Sequence, residues 1–217
     1  MSGTWSIEHS RGDAAALHGR EPTALRTAWW FEVDRPTLVL GSAQASDAVN
    51  HRAAEDLGIE IVRRRSGGGA VLLVPDEFVW LDVVVPAGDP LWHDDVGGAM
   101  HWVGQMWQQV LTDAGLDAFV HEAGMVTTRW SRQVCFAGVG AGEVVAGQRK
   151  LVGVSQRRTR SWARMQSMCH LRWRPEIVAA LVSPPAPRAE ELAGLVAAVP
   201  LDRDALVEAL TTVLFEH

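Results

Sequence analysis

The alternation of hydrophobic and polar residues in the first half of the chain is typical of short β-strands separated by turns. Apolar or alternating runs occupy residues 28–33, 37–40, 59–62, 70–74 and 78–85. The segments 34–36 and 75–77, which contain proline and aspartate, have the composition of turns. The second of them predicts a hairpin between the last two strands. Residues 4–20 are weakly patterned and predict only a short helix at 14–17.

Apolar residues recur every three or four positions over residues 94–114, which predicts a long amphipathic helix with one buried face. A shorter helix is predicted from Ser46 or Asp47 to Leu57, with Gly58 ending it. The rest of the chain predicts a glycine-rich hairpin over 134–155, a strand over 162–173, and helices over 175–182, 188–198 and 203–215.

The order of these elements predicts an α+β fold. Most strands follow one another through turns and do not alternate with helices, so we expect a mixed, largely antiparallel sheet flanked by helices. The proline-rich segment 184–187 separates the last two helices from the rest of the chain. We therefore divide the chain into a main domain, residues 1–183, and a C-terminal helical extension, residues 184–217, packed on the same domain.

Composition narrows the class of protein. Hydrophobic residues make up 47% and charged residues 21% of the chain, which is typical of a globular domain. The net charge of −6 argues against general nucleic-acid binding, which needs a basic surface. Two cysteines without zinc-ligand spacing predict neither a disulfide framework nor a metal site. Residues 1–20 lack the apolar core of a signal peptide, and no apolar run is long enough to span a bilayer, so we expect a cytoplasmic protein.

Residues 63–71 stand out because three arginines lead directly into three glycines between two predicted strands. Glycine lacks a Cβ, so the backbone at Gly67, Gly68 and Gly69 can adopt positive φ and let a ligand lie against its N–H groups. The guanidinium groups suit phosphate or carboxylate. These residues alone leave two interpretations open, a loop that holds an anion or a hairpin turn with a solvated basic edge.

A second stretch, residues 147–156, carries a single lysine at the mouth of a predicted hairpin. Lys150 is followed by Gly153, a small residue in a strand where close backbone approach is needed. A lone lysine on a turn is usually solvated, so Lys150 taken by itself also has a purely structural interpretation.

Together the two stretches resemble the lipoate–protein ligase and octanoyltransferase superfamily, whose catalytic domain is shared with biotin–protein ligases. Arg63 and Arg64 begin a match to that family's Arg-Arg-x-Ser-Gly-Gly-Gly-Ala-Val pattern. The segment 147–156 matches its Gly-x-Lys-x-x-Gly-Ser-Ala-Gln pattern with two departures, because Gly147 stands one residue further from Lys150 and Val-Ser replaces Ser-Ala. Gly41 and Gln44 fit an earlier Gly-x-x-Gln. The matches keep their order over roughly residues 38–171, most of the chain.

The resemblance implies the biotin/lipoate protein ligase catalytic-domain fold and an apolar tunnel for a medium-length acyl chain. It implies that Lys150 is catalytic, with its ammonium group stabilising negative charge that develops on the acyl oxygen. The acceptor would be a lysine on a lipoyl carrier domain or a glycine cleavage H-type protein, and acyl carrier protein is a further candidate partner. The implied substrate-binding residues are Gln44, Arg63, Arg64, Ser66, Gly67, Gly68, Gly69, Ala70, Gly153 and Ser155.

A basic run follows the lysine motif. It consists of Arg157, Arg158, Arg160 and Arg164. Two interpretations remain open for these arginines, a surface that docks an acidic carrier domain or the solvated tip of a hairpin.

Cys135 separates the two enzymatic interpretations. Cys135-Phe136 resembles a Cys-Phe dipeptide of one octanoyltransferase branch, in which the cysteine is the nucleophile. Gly69 resembles the ligases, because that transferase branch tends to have arginine there. We expect ligase chemistry, in which ATP with Mg²⁺ activates lipoate or octanoate as an acyl adenylate. The alternative enzyme is an octanoyltransferase that takes the acyl group from octanoyl–acyl carrier protein onto Cys135.

Three departures from the family pattern bear on activity. The glycine loop is followed by residues 73–75 where family members commonly show His-Asp, and residues 166–168 replace a Gln-His-Gly of octanoyltransferase-type relatives. Only two short helices follow Pro187, where full-length ligases usually carry a further domain. The first and last of these departures favour a third hypothesis, a non-catalytic relative that binds an acyl group or assists a partner subunit.

Overall fold

Two β-sheets form the framework of the structure, a computed structural model that describes residues 4–217. Short 3₁₀ turns lie at Ser46–Ala48 and Cys135–Ala137. In chain order the other elements are β1 (Ser6–Gly12), α1 (Ala14–Gly19), β2 (Thr27–Val33), β3 (Thr37–Leu40), α2 (His51–Asp56), β4 (Glu60–Arg63), β5 (Val71–Leu73), β6 (Phe78–Pro86), α3 (Gly98–Asp113), β7 (Phe119–Val120), β8 (Val144–Ala146), β9 (Arg149–Arg158), β10 (Trp162–His170), α4 (Pro175–Leu181), α5 (Ala189–Ala193) and α6 (Arg203–Leu214).

The large sheet has seven strands in the order β1-β2-β6-β10-β9-β8-β7. Only the β1–β2 pair is parallel, and every other neighbouring pair in this sheet is antiparallel. The small sheet has the order β4-β3-β5, with β4 parallel and β5 antiparallel to β3. The predicted α+β class with a mixed, largely antiparallel sheet is therefore confirmed.

The central strands of the large sheet are covered on both faces, which explains why their sequences are almost continuously apolar. In β2, Trp30 belongs to a core shared with α3 and α6, whereas Trp29 and Phe31 belong to a core shared with the small sheet. In β6, Leu81 belongs to the core shared with α3 and α6, and Trp80 belongs to the core shared with the small sheet. The two sheets therefore pack face to face, and a site can form between them.

Two predicted features of the first half are wrong. The strands at 70–74 and 78–85 do not form a hairpin, because β5 pairs with β3 in the small sheet while β6 lies between β2 and β10 in the large one. The weakly patterned segment 4–20 contains β1, an edge strand whose residues are all exposed or half-buried, so it lacks a clear apolar alternation. The short helix predicted at 14–17 is confirmed as α1.

The helices are shorter than the periodicity predicts. The helix expected from Ser46 begins at His51, because Asn50 caps it by accepting a hydrogen bond from the Ala53 amide. Gly58, with φ +65°, follows its end as predicted. The long helix α3 begins at Gly98, four residues after the predicted start. The first part of the predicted hairpin at 134–155 is a 3₁₀ turn and not a strand.

The C-terminal helices pack on the same body. Helix α5 contributes Leu192 to a core with α4 and the small sheet, and α6 lies against α3. Between them, the Lys150 amide donates to the Leu195 carbonyl and the Ala197 amide donates to the Lys150 carbonyl. The division at residue 183 stays a prediction. Across residues 4–217, none of the helices combines the length and apolar character needed to cross a membrane.

Candidate active site

An apolar cavity of about 50 Å³ lies between the two sheets. The small sheet contributes Val39, Val71 and Leu73 to its wall, and the large sheet contributes Trp80 and Met168. Polar atoms enter the cavity at few places. The other lining residues are His18, Arg64, Cys135, Phe136, Gly153, Val154, Ser155, Gln166 and Ser167. The cavity has the apolar character of a small-molecule site, with a few polar groups in its wall.

The glycine loop and the turn that carries Cys135 pack against each other without side chains between them. The Ala70 amide donates to the Gln133 carbonyl, and the Cys135 amide donates to the Ala70 carbonyl at 3.0 Å. A Cβ on Gly69 would lie 2.6 Å from the backbone of Val134. Glycine is therefore required at residue 69 by close backbone approach.

The Gly41–Gln44 turn closes over the other side of the glycine loop. A Cβ on Gly41 would lie 1.9 Å from the Gly68 carbonyl oxygen, so this position also requires glycine. The Gln44 side chain accepts from the Gly41 amide and donates to the Gln133 carbonyl at 3.1 Å. Gln44 therefore joins the turn to the Cys135 segment, and its side chain is not among the groups that line the cavity.

The guanidinium groups of the arginine pair donate to the protein's own backbone. Arg63 donates to the carbonyls of Gly41 and Gln44 at 2.8 and 2.6 Å. The buried Arg64 donates to the carbonyls of Gly67 and Gly69 at 2.6 and 2.9 Å, and to Val39 at 3.2 Å. These arginines stabilise the shape of the loop, which accounts for them without an anion.

Ser66 and Ser155 connect the loop to the large sheet. The Arg64 Nε donates to the Ser66 hydroxyl at 3.1 Å, and the Ser155 hydroxyl donates to it at 3.2 Å. Gly153 stands two residues before Ser155 on β9, and a Cβ there would lie 3.2 Å from the Phe136 ring. The small residues of β9 thus leave room for the turn that carries Cys135.

Cys135 is half-buried and lines the cavity. A Cβ on Gly68, which has φ +97°, would lie 3.4 Å from the Cys135 Sγ. The thiol therefore faces the glycine loop at a position where the positive φ of Gly68 favours a residue without a side chain. The other cysteine, Cys169, is fully buried in the core, and burial raises the pKa of its thiol to about 12.

The ammonium group of Lys150 lies just behind this turn and outside the cavity wall. Its Nζ stands 2.7 Å from a Glu143 carboxylate oxygen and donates to the carbonyls of Cys135 and Gly138 at 3.2 Å. The whole residue is 1% exposed. Lys150 therefore contacts the peptide of Cys135, whereas the resemblance implies contact with an acyl oxygen.

Two polar groups of the far wall, Gln166 and His18, were not predicted as site residues. The Gln166 side-chain amide lies 3.3 Å from the His18 Nδ1 and 3.1 Å from the Asp82 carboxylate. Burial, with additional effects of Arg64 and Arg164, lowers the pKa of His18 to about 3, so this imidazole is neutral at pH 7. His18 approaches the cavity through tertiary contacts, and no local pattern in the sequence marks it.

The basic run is not a continuous surface. Arg164 is buried and pairs with Asp82, with its Nε 2.6 Å from the carboxylate, so it cannot dock a partner. Arg157 pairs with Glu21, and Arg158 donates to the carbonyls of His93 and Asp94. Only Arg160 of the run makes none of these contacts. The hypothesis of a four-arginine dock is wrong for Arg164 because β10 is a central strand of the large sheet that is covered on both faces.

The profile of the lipoyl protein ligase A/B catalytic domain matches residues 13–192 of this chain. The match covers most of the chain and both of the stretches that meet at the cavity. The chain therefore belongs to the lipoyl protein ligase A/B catalytic domain family, a class of acyl-transferring enzymes.

Individual relatives are more distant. Octanoyltransferase LipM of Kyrpidia tusciae is 30% identical over 190 residues, which cover 85% of this chain and 65% of that protein. This chain thus spans just under two thirds of that curated relative. A lipoate-protein ligase A solved with bound ATP has a TM-score of 0.77 at 17% identity, covering all of this chain and 85% of that one. A bi-partite lipoate protein ligase of Thermoplasma acidophilum, studied with its E2 lipoyl domain, has a TM-score of 0.75 at 17% identity, covering 100% and 83%. The expected ligase catalytic-domain fold is confirmed.

Proposed function

We propose that this chain is an acyltransferase that carries a medium-length acyl group as a thioester on Cys135 and passes it to a lysine of a lipoyl carrier domain. The observation that supports this most directly is the position of the Cys135 thiol. It lies in the wall of an apolar cavity, opposite Gly68, which has no side chain to cover it. The acyl chain occupies the space between the sheets, against Val39, Leu73 and Met168.

The chemistry consists of two acyl transfers, a thioester exchange onto Cys135 and then attack of an amine on that thioester, with an amide as product. The deprotonated Cys135 sulfur attacks the carbonyl carbon of an acyl thioester on a carrier protein. The C–S bond to the carrier breaks, and the carrier thiolate leaves and takes up a proton. The acceptor amine then attacks the Cys135 thioester, an amide bond forms, the cysteine thiolate is regenerated, and the amine's proton is lost to solvent.

Two findings support a transferase over the ligase that we expected from the sequence. The relative at 30% identity is named an octanoyltransferase. The feature that favoured ligase chemistry, glycine at residue 69, has a packing reason here, because a side chain would collide with the backbone of Val134 and Cys135. The glycine at residue 69 therefore does not distinguish an ATP-dependent ligase from a transferase in this chain.

A lipoate–protein ligase is the second candidate function. It is supported by the fold shared with the lipoate-protein ligase A that binds ATP and with the bi-partite lipoate protein ligase. In this case ATP with Mg²⁺ would activate lipoate or octanoate as the adenylate, and Cys135 would have no covalent role. The acceptor would again be a carrier-domain lysine.

The deciding experiment is intact-protein and peptide mass spectrometry after incubation with octanoyl–acyl carrier protein. We expect one octanoyl group on the peptide that contains Cys135, and transfer of that group to a lipoyl carrier domain. Cys135→Ala should lose acylation and transfer completely, because no other residue that lines the cavity carries a thiol. Cys169→Ala is the matched control and should be acylated like the wild type, since the Cys169 thiol is buried in the core.

Incubation with octanoate, ATP and Mg²⁺ in place of the acyl carrier protein tests the second candidate. Formation of octanoyl-AMP by the Cys135→Ala protein, followed by carrier acylation, would reject the transferase and establish the ligase. If the wild type binds octanoate but shows neither acylation of Cys135 nor formation of octanoyl-AMP, both enzymatic functions are rejected.

A further inference from the structure

The carboxylate of Glu143 and the ammonium group of Lys150 form a buried ion pair behind the turn that carries Cys135. The two charged atoms are 2.7 Å apart, and the side chains are 7% and 1% exposed. Glu143 is the only charged residue between Val134 and Gln148. A buried charge of this kind is costly unless it is paired and hydrogen-bonded, so its contacts indicate what it does.

The backbone amide and the backbone carbonyl of Cys135 both form hydrogen bonds. Its amide donates to the Ala70 carbonyl of the glycine loop at 3.0 Å, and its carbonyl accepts from the Lys150 Nζ at 3.2 Å. The same Nζ donates to the Gly138 carbonyl at 3.2 Å, at the end of the 3₁₀ turn. Lys150 therefore fixes the turn from one side while the glycine loop fixes it from the other.

Glu143 in turn holds Lys150 and the neighbouring backbone. Its Oε1 accepts from the Val154 amide at 3.1 Å as well as facing the ammonium group, and its Oε2 accepts from the Gly140 amide at 2.7 Å. The carboxylate thus joins the segment after the turn to strand β9. Hydrogen bonds to ionised groups are among the stronger ones, which suits a rigid support.

We propose that Glu143 is a positioning residue for acyl transfer. It keeps the Lys150 ammonium group directed at the Cys135 carbonyl, and through that contact it fixes the direction of the Cys135 thiol towards Gly68. This inference deepens the proposed function and rests on it. Its physical basis is the sensitivity of a covalent step to the placement of the nucleophile, since an error of about 1 Å costs roughly a hundredfold in rate.

The test compares Glu143→Gln with the double variant Glu143→Gln/Lys150→Met. The rate of Cys135 acylation is measured in single turnovers by mass spectrometry, over a range of octanoyl–acyl carrier protein concentrations. For Glu143→Gln we expect the rate at saturating donor to fall roughly tenfold to a hundredfold, with the half-saturating concentration unchanged. The double variant removes the unpaired buried charge, so its melting temperature should exceed that of Glu143→Gln. Its acylation should remain slow, because the Cys135 carbonyl still lacks the donor.

Asp89→Asn provides the matched control. Asp89 forms an ion pair with Arg26 that is similarly buried, with side chains 9% and 3% exposed, and it does not line the cavity. This variant should lose stability while its folded fraction acylates Cys135 at the wild-type rate. Wild-type acylation by Glu143→Gln, or recovery of both rate and stability in the double variant, would show that Glu143 serves only the fold.

Hydrogen exchange separates failure of this inference from failure of the proposed function. If the wild type is not acylated on Cys135 at all, the transferase proposal falls. The positioning role is then read from the amides of residues 135–138, which should exchange faster in Glu143→Gln than in the wild type or in Asp89→Asn. Unchanged exchange in that segment would overturn the role of Glu143.

Discussion

Two buried ion pairs flank the cavity, and their comparison separates what supports the fold from what supports the site. Lys150 of β9 pairs with Glu143 and donates to the carbonyls of Cys135 and Gly138. On the neighbouring strand β10, Arg164 pairs with Asp82 and donates to the carbonyls of Leu17, His18 and Arg20. In both cases a buried cation on the large sheet fixes a short helical segment that reaches the cavity. The same physical arrangement therefore holds the two ends of the site.

The two pairs differ in what the fixed segment contributes. Lys150 of the first pair donates directly to the backbone carbonyl of Cys135, the residue that carries the thiol. The Arg164–Asp82 pair is connected to the cavity only through His18 and Gln166. Asp82 is fully buried, and burial raises its pKa even though Arg164 opposes the rise. Variants of the first pair should lower the acylation rate in addition to any loss of stability, and variants of the second should act mainly on stability.

The largest expected effect follows from removing Arg164. Arg164→Leu leaves the Asp82 carboxylate buried without its cation and three carbonyls without a donor. We expect a loss of about 3–5 kcal/mol in the free energy of unfolding, measured by urea denaturation. The double variant Arg164→Leu/Asp82→Leu should recover part of this loss. A stable Arg164→Leu protein with impaired acylation would reverse the assignment of roles to the two pairs.

A pH effect of intermediate size comes from the histidines beside each pair. Burial, with a smaller effect of Lys150, lowers the pKa of His170 from 6.5 to about 3. Because the unfolded chain binds a proton near pH 6.5 and the folded chain does not, stability is complete above that pH and falls as the pH decreases towards 3. A fully buried histidine contributes a slope of about 1.4 kcal/mol per pH unit in that window.

The check is urea unfolding between pH 7 and pH 4 for the wild type and His170→Leu. The variant should show a shallower loss of stability on acidification, since one of the groups that must bind a proton is absent. His18, on the Arg164 side, has a pKa lowered to about 3 by burial and by Arg64 and Arg164, so part of the slope should remain. An unchanged slope in His170→Leu would mean that the imidazole binds its proton in the folded protein.

Much of this architecture is predictable from the sequence because it depends on local patterns. The apolar runs of β2 and β6, the turn at Gly58 and the buried face of α3 each follow from periodicity or from glycine. The family pattern also brings Cys135 and the glycine loop into one site. The pairing of the strands was predicted less well, since β5 and β6 are adjacent in sequence and belong to different sheets.

The groups that could not be predicted owe their place to tertiary contacts. His18 lies on a short helix near the N-terminus and reaches the cavity because Arg164, far along the chain, holds its carbonyl. The sequence gives only weak evidence for a role of Glu143. It is the single acidic residue in an otherwise uncharged segment that precedes Lys150. That evidence indicates a buried partner only once Lys150 is known to be buried. The charge of Arg63 and Arg64 suggested that they bind an anion. In the structure their N–H groups donate to backbone carbonyls that shape the glycine loop.

The smallest expected effect concerns Gln166, which links the Arg164–Asp82 pair to the cavity. Its side-chain amide lies within hydrogen-bond distance of both Asp82 and His18. Gln166→Leu keeps the size of the side chain but removes the donor, so it should cost about 1 kcal/mol of stability by urea denaturation. Acylation of Cys135 should persist, because the Lys150–Glu143 pair and the Cys135 turn are untouched. If Gln166→Leu slowed acylation as strongly as Glu143→Gln does, the far wall would position the acyl group as closely as Lys150 positions the thiol, and the division between a supporting pair and a catalytic-site pair would no longer hold.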